Sequence, residues 1–301
     1  MQLANLSIAS VSLDTGIGKE VLRKWESRYG FPVPQRDALG NRVYSIEQLG
    51  RLRLIKRLMD GGMRPSDVVS LEHDNLLTLV ERRKHRLDAN ESNGSSQIIN
   101  WLKLRDPEFL RQKLHAELLA VGLNTFIVDV MPGMNGQLGN AWECGDIAIR
   151  DEHLYSEISQ ELLRTAIASI SDPNGYPRVM ITTPGGELHT LGILMLQGFL
   201  SLRGAYCLSL GAQTPVAEIG LAVQDYRADI VGLSFSASFP QRRTMPMLKE
   251  VRAVLPAEKE LWAGGQGISG IQKSPRGIRL LHRFEDIEDA LDDYREKTPR
   301  V

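Results

Sequence analysis

The sequence predicts a multidomain chain, helical through its first half and α/β in its last third. Three observations predict it. The opening is basic, helical and broken by glycine and proline; the middle reads as helix throughout; and after "SDPNGYP" strand-like and helix-like segments alternate cleanly to the end. The length of 301 residues is enough for two or three domains, and 42% apolar with 24% charged residues is ordinary globular usage. The N-terminus has no basic stretch followed by a long apolar core, and no uninterrupted apolar run approaches membrane-spanning length, so neither secretion nor a membrane is expected. Two distant cysteines, Cys144 and Cys207, make no metal-binding spacing and fit a reduced, cytoplasmic compartment.

Residues 1–75 are read as the first domain. The formal net charge of −1 hides an asymmetry, for residues 1–64 hold eleven Lys/Arg against six Asp/Glu and the rest of the chain is acidic. A basic head on an acidic body points to an anionic partner for the head alone. "IASVSLDT" and "KEVLRKWESRYG" read as two short helices joined by "GIGK", the second ending at Gly30. The prolines of "FPVPQRDALGNRVYS" forbid further helix, and "ALGN" makes a turn between two short extended pieces. "SIEQLGRLRLIKRLMDGGM" then opens on a Ser-x-x-Gln capping box and runs helical to Gly61-Gly62. This is a helix-turn-helix with a small wing. Its second helix carries Lys19, Arg23, Lys24, Arg28 and Tyr29, and its wing Arg36, Arg42 and Tyr44. Cations on a helix that fits the major groove, with more on a wing, suit phosphate neutralisation and base reading. Trp25 is expected in the core, and Tyr29 either there or on DNA. The string "LRKWESRYGFPVPQR…GNRVYS" resembles the N-terminal domain of the MerR family of transcription regulators, in the form found in its light- and cobalamin-linked branch.

Residues 76–97 are read as a connecting helix and linker: "ERRKHRLDA" as the solvated face of that helix, "NESNGSSQ" as the best linker in the chain. Residues 98–171 read as four short helices, hence a small four-helix bundle. Within it "NAWECGDIAIRDEH" places nine residues between Trp142 and the pair Glu152-His153. Alone, this says little, since a tryptophan is usually core and a Glu-His pair at a helix start usually faces water.

Residues 172–301 supply five strand–helix units, implying a parallel, doubly wound sheet whose ligands bind beyond the carboxyl ends of the strands. The unusual residues fall on that edge. Glu187 and His189 follow the first strand, Ser234 and Ser236 end the third, and Gly264-Gly265 ends the fourth. A neutral imidazole is a good metal ligand, and Glu187 can accept its other N–H and set its tautomer. Glycines 185, 186 and 192 would let a bulky ligand approach the backbone. Forty-one residues separate Gly192 from Ser234, and twenty-seven separate Ser236 from Gly264. Residues and spacings together resemble the flavodoxin-like, Rossmann-like cobalamin-binding domain, with Glu187 for the usual Asp and Ser236 for the usual Leu.

Head, Trp-x9-Glu-His bundle and this domain, in that order, resemble the CarH/LitR photoreceptor repressors. The resemblance implies adenosylcobalamin held between bundle and sheet. His189 would be the lower ligand of cobalt, Trp142 would lie on the adenosyl group, and Glu152 would bond its ribose. Ser234 would bond the cofactor's nucleotide tail, with room beside it at Gly264-Gly265. It implies a dark tetramer gripping double-stranded operator DNA and dissociating when light breaks the Co–C bond. One departure is plain: the histidine that follows the tryptophan in that pattern, to cap cobalt after photolysis, is Glu143 here. Water, Glu143, Cys144 or His153 could take that face, or the lit state could lose its cofactor. A cobalamin sensor indifferent to light, and a MerR-type regulator binding no corrin, remain as alternatives. A cobalamin-dependent enzyme is disfavoured, since no stretch is left for a substrate barrel.

Overall fold

The computed structural model describes residues 6–60, 63–80 and 97–299, so "RRKHR" and most of the expected linker lie outside the described residues. Contacts sort the chain into two units, Met1–Arg105 with Asn135–Glu152, and Asp106–Met134 with His153–Val301. The helices expected to form a separate bundle over 98–171 are therefore shared between the two.

In the first unit a strand too short to be legible in the sequence, β1 (Leu6–Ser7), precedes α1 (Ile8–Thr15). Ser7 caps α1 by accepting the Ser10 N–H at 3.1 Å. Helix α2 (Lys19–Tyr29) buries Leu22 and Trp25, three residues apart on one face, and stops at Gly30, whose φ of 71° suits glycine. The wing follows as β2 (Gln35–Arg36) and β3 (Arg42–Tyr44), with β3 central in the antiparallel order β1-β3-β2. Asp37 holds the wing turn by accepting the N–H groups of Leu39 and Asn41.

Next comes α3 (Ile46–Asp60). Half the expected capping box forms there. Ser45 accepts the Gln48 N–H at 3.2 Å, but the Gln48 amide instead pairs with the backbone of Val33, donating at 2.7 Å and accepting at 3.0 Å. Helix α3 is thereby tied to the approach to the wing. Short α4 (Pro65–Val68) and α5 (73–80) close over a core containing Val11, Leu22, Trp25, Tyr44, Leu52, Ile55, Leu58, Val68 and Leu76. Helix α6 (Gln97–Lys103) also belongs to this unit.

The second unit begins with α7 (Pro107–Thr125), started by Asp106, which accepts the Phe109 N–H at 3.0 Å, and by Pro107 in the first turn. The chain then runs helically, with a break at Gly122 and a π-helical turn over Phe126–Val130, into α8 (Met131–Cys144). Contrary to the sequence expectation, Pro107–Trp142 is long and apolar enough to cross a membrane. Of its most apolar window, 22% is buried. Leu118, Phe126, Ile127 and Met131 pack with Leu163 and Ile167 of α9 (Ile149–Ile170) and with Leu194, Met195 and Phe199 of α10 (Leu191–Leu202). Gly198 makes that packing close, since any Cβ there would stand 2.5 Å from Ile127.

Five parallel strands follow, β4 (Arg178–Pro184), β5 (Tyr206–Thr214), β6 (Ile230–Ser234), β7 (Glu260–Gly264) and β8 (Ile278–Leu281), in the order β5-β4-β6-β7-β8. Helices α10, α11 (Val216–Asp225), α12 (Gln241–Val254) and α13 (Phe284–Lys297) complete the domain. One expected helix is missing, for β7 connects to β8 through a single 3₁₀ turn, Gln266–Ile268, in a glycine-rich stretch. Strand order reverses between β4 and β6, which makes their carboxyl ends the natural ligand edge.

Candidate functional site

The loop from β4 carries Glu187 and His189 to that edge, and the end of β6 carries Ser234 and Ser236. Glu187 is 2% exposed and the His189 side chain 52%. The Glu187 carboxylate accepts four hydrogen bonds. His189 donates from its backbone N–H at 2.9 Å and from Nδ1 at 2.7 Å to Oε1, and Ser236 donates from backbone and hydroxyl, each at 2.8 Å, to Oε2. Burial alone pushes the carboxyl up, but the bonds from His189 and then Ser236 outweigh it and hold Glu187 below its ordinary range. With its proton on Nδ1, His189 carries its lone pair on Nε2, the nitrogen through which an imidazole binds a metal. The loop is braced from behind by Thr183, which donates to Glu187 O at 2.6 Å and accepts from Gln213 N–H at 2.9 Å. Thr190 donates to Gln160 of α9 at 2.8 Å. Sequence reasoning missed Thr183 and Gln160, because nothing local marks a brace that closes across the sheet.

This donor set fits a metal already chelated by a macrocycle. Among the described residues no three His, Cys, Asp or Glu side chains gather into a cage. One outward imidazole on a buried carboxylate is what remains useful to an equatorially filled ion.

The remaining edge residues make contacts within the protein. Ser236, expected beside a nucleotide tail, is engaged with Glu187 and stands 3.1 Å from His189 Nδ1, so it positions the imidazole's partner. Gly192 begins α10 against Ser234, where a Cβ would lie 2.5 Å from the serine Oγ. This glycine thus faces a serine of the protein itself, in helix–strand contact. Gly265 (φ +94°) faces the Phe235 backbone, whose carbonyl oxygen occupies the place of any Cβ. Gly265 therefore admits the β6 loop itself, which is held on either side: Gly264 O accepts from Phe235 N–H at 3.0 Å, and Phe235 O accepts from Gly267 N–H at 2.9 Å. Replacing Ser236 by alanine removes one donor from Glu187 and is expected to weaken corrin binding by about tenfold, as losses of outer ligand support do, measured by equilibrium dialysis.

Trp142 and Glu152 fall in the first unit, and His153, at the surface of α9, in the second. Trp142 is half-buried, with the Arg57 guanidinium 5.9 Å from its ring centroid. The side chains of Glu143 and Cys144 lie outside the described residues.

In the head, Lys19, Arg23, Lys24 and Arg28 stand on the exposed face of α2, opposite Leu22 and Trp25. Arg23 pairs with Glu20, and Arg28 lies over the half-buried ring of Tyr29 at 5.3 Å. In the wing, Arg36 is exposed and donates to Gly40 O at 2.8 Å. Two wing residues have partners or places within the head. Arg42 is paired with Glu26, donating from Nε at 2.8 Å, and so latches the wing to α2. Tyr44 is wholly buried, in the core with Val11, Leu22 and Trp25. Its hydroxyl has no hydrogen-bond partner among the described residues. Tyr44→Phe is therefore expected to leave duplex affinity unchanged and to stabilise the head slightly, by up to about 1 kcal/mol, read by urea unfolding. Lys24→Ala, by contrast, is expected to weaken binding evenly across sequences. It should flatten the plot of log affinity against log salt by about 0.9, one phosphate contact, read by fluorescence anisotropy.

Comparison with known proteins covers both units. A model of the MerR HTH family of regulatory proteins matches residues 6–73. The chain is 28% identical over 283 residues to the HTH-type transcriptional repressor CarH of Myxococcus xanthus, covering 91% of this chain and 93% of that one. It is 30% identical over 203 residues to the HTH-type transcriptional regulator MlrA of Salmonella typhimurium, covering 66% of this chain and 76% of that one. The solved structure of the monomethylamine corrinoid protein of Methanosarcina barkeri aligns loosely, at 16% identity and a TM-score of 0.47, over 65% of this chain and 94% of that one.

Proposed function

The chain belongs to the MerR HTH family of transcriptional regulators. From that premise we propose that it is a repressor whose C-terminal domain binds adenosylcobalamin and whose hold on DNA is released by light. The observation that carries this reading is the Glu187–His189 pair at the strand-order switch point, with Nε2 directed away from a buried, four-bonded carboxylate. Similarity to a named repressor over nine-tenths of both chains supports the regulatory half.

His189 would hold the cobalt, with Glu187 as the acceptor that orients it and Ser236 as the donor that holds Glu187. Trp142, Glu152 and His153 would contact the adenosyl group. When bound, adenosylcobalamin supplies a cobalt–carbon bond that visible light breaks. The protein assembles in its loaded dark form, as a tetramer, and several heads then hold one stretch of double-stranded DNA in the cytoplasm. Such linkage turns weak single-head binding into tight repression, and loss of assembly reverses it. No catalytic role is assigned to any residue. Glu143, standing where a cobalt-capping histidine would be expected, favours a second reading, a cobalamin-sensing regulator that does not respond to light.

Size-exclusion chromatography with absorbance detection decides between them, run on adenosylcobalamin-loaded protein in the dark and after green light. The expected result is a large, corrin-bearing species that becomes smaller when lit. Bound corrin with no change of size supports the second reading, and corrin eluting apart from the protein overturns both.

A further inference from the structure

We propose that Arg57 links the DNA-binding head to Trp142, so that a ligand resting on the indole is felt by α3 and, through it, by the wing and α2. The proposal rests on the assignment of Trp142 to the cofactor's upper ligand.

Two observations within the first unit carry it. The Arg57 guanidinium carbon lies 5.9 Å from the centre of the Trp142 ring, within range for a cation over an indole. The same guanidinium occupies the space beside Gly145 that any Cβ would fill. Gly145 (φ +80°) ends α8, with its N–H on Trp142 O at 3.1 Å and the Asp146 N–H on Ala141 O at 2.8 Å. The cation therefore sits both near the ring and at the negative end of α8. A surface cation near an aromatic ring is commonly incidental; the Nε of this one is buried.

From α3 the connection to the DNA-reading elements is short. Arg53 pairs bidentately with Asp14 of α1 at 2.6 and 2.7 Å. Gln48 holds the backbone at Val33, and Arg42 joins the wing to Glu26 of α2. A shift of Trp142 that moves Arg57 thus moves the element against which the wing is seated. By linkage the effect runs both ways: a head able to influence Trp142 must influence the affinity for whatever rests on it. Arg57 is accordingly a positioning residue that braces the indole.

The test uses the full-length protein and two readouts. In corrin-free protein, hydrogen exchange by mass spectrometry is compared for wild type, Trp142→Leu, Arg57→Gln and Arg57→Lys. Expected are faster exchange in residues 52–58 when Trp142 is lost, faster exchange in 138–145 with Arg57→Gln, and rescue by Arg57→Lys. In darkness, equilibrium dialysis gives the ratio of adenosylcobalamin to methylcobalamin affinity, which isolates contacts to the large upper ligand. Arg57→Gln should lower that ratio about threefold, the loss of one cation–ring contact, and Arg57→Lys should restore it. Unchanged exchange in 52–58 on losing Trp142 overturns the link whether or not corrin binds, and so does an unchanged ratio. Failure of the wild-type chain to bind either corrin instead overturns the functional reading.

Discussion

Replacing His189 by alanine is expected to weaken adenosylcobalamin binding on the order of 100-fold or more. Loss of outer support alone costs 10- to 100-fold at metal sites, and here the ligand itself is removed. The ring is half-exposed, and the Glu187 carboxylate keeps its two bonds from Ser236 and one from the residue-189 backbone. Folding stability should therefore change by no more than about 1 kcal/mol. The cofactor-dependent part of DNA affinity should disappear with the corrin, leaving the weak binding of separate heads. Dialysis, urea unfolding and anisotropy check these three statements separately. A variant that folds, loses corrin and still represses fully would detach the head from the cofactor and contradict the regulatory scheme.

The second large effect is structural. Gly265→Ala is expected to destabilise the C-terminal domain by about 3–5 kcal/mol. Two costs add. The backbone at φ +94° and ψ 171° is a region essentially reserved for glycine. The new methyl group would also displace the Phe235 carbonyl, which accepts the Gly267 N–H. Because Ser236 follows Phe235 directly, that displacement reaches the Glu187 carboxylate. Urea unfolding should show the loss, and folded variant should bind corrin poorly. Gly264→Ala makes the comparison: its Cβ would meet only Leu281 O, at 3.4 Å, so it should be far milder.

Much of this architecture is legible in the sequence because alternation and spacing are long-range regularities carried by local residues. Strands such as "RVMITT" and "ADIVGLSFS" declare themselves by apolar runs, and the carboxyl-edge residues follow from where those runs end. Glu187 beside His189 was legible for a related reason, since a contact two residues apart needs no knowledge of topology. What stayed hidden depends on pairings between distant segments. Nothing near Arg42 marks Glu26 as its partner, sixteen residues earlier, and Tyr44 near it reads as a surface residue although the fold turns it into the core. Ser236 reads as a poor substitute for leucine in a tail pocket, whereas the fold places its hydroxyl on a carboxylate forty-nine positions away. The middle helices look like an independent bundle because their periodicity records which faces are apolar, not which neighbour each face chooses. Phe126, Ile127 and Met131 choose α10.

The central claim, that His189 is the cobalt ligand, is tested most directly by electron paramagnetic resonance of protein-bound cob(II)alamin, prepared with ordinary and with ¹⁵N-labelled histidine. Coordination by His189 predicts a nitrogen superhyperfine triplet that collapses to a doublet on labelling and is lost in His189→Ala. A triplet indifferent to the label would mean that the cofactor's own base still holds the metal, and would contradict the assignment.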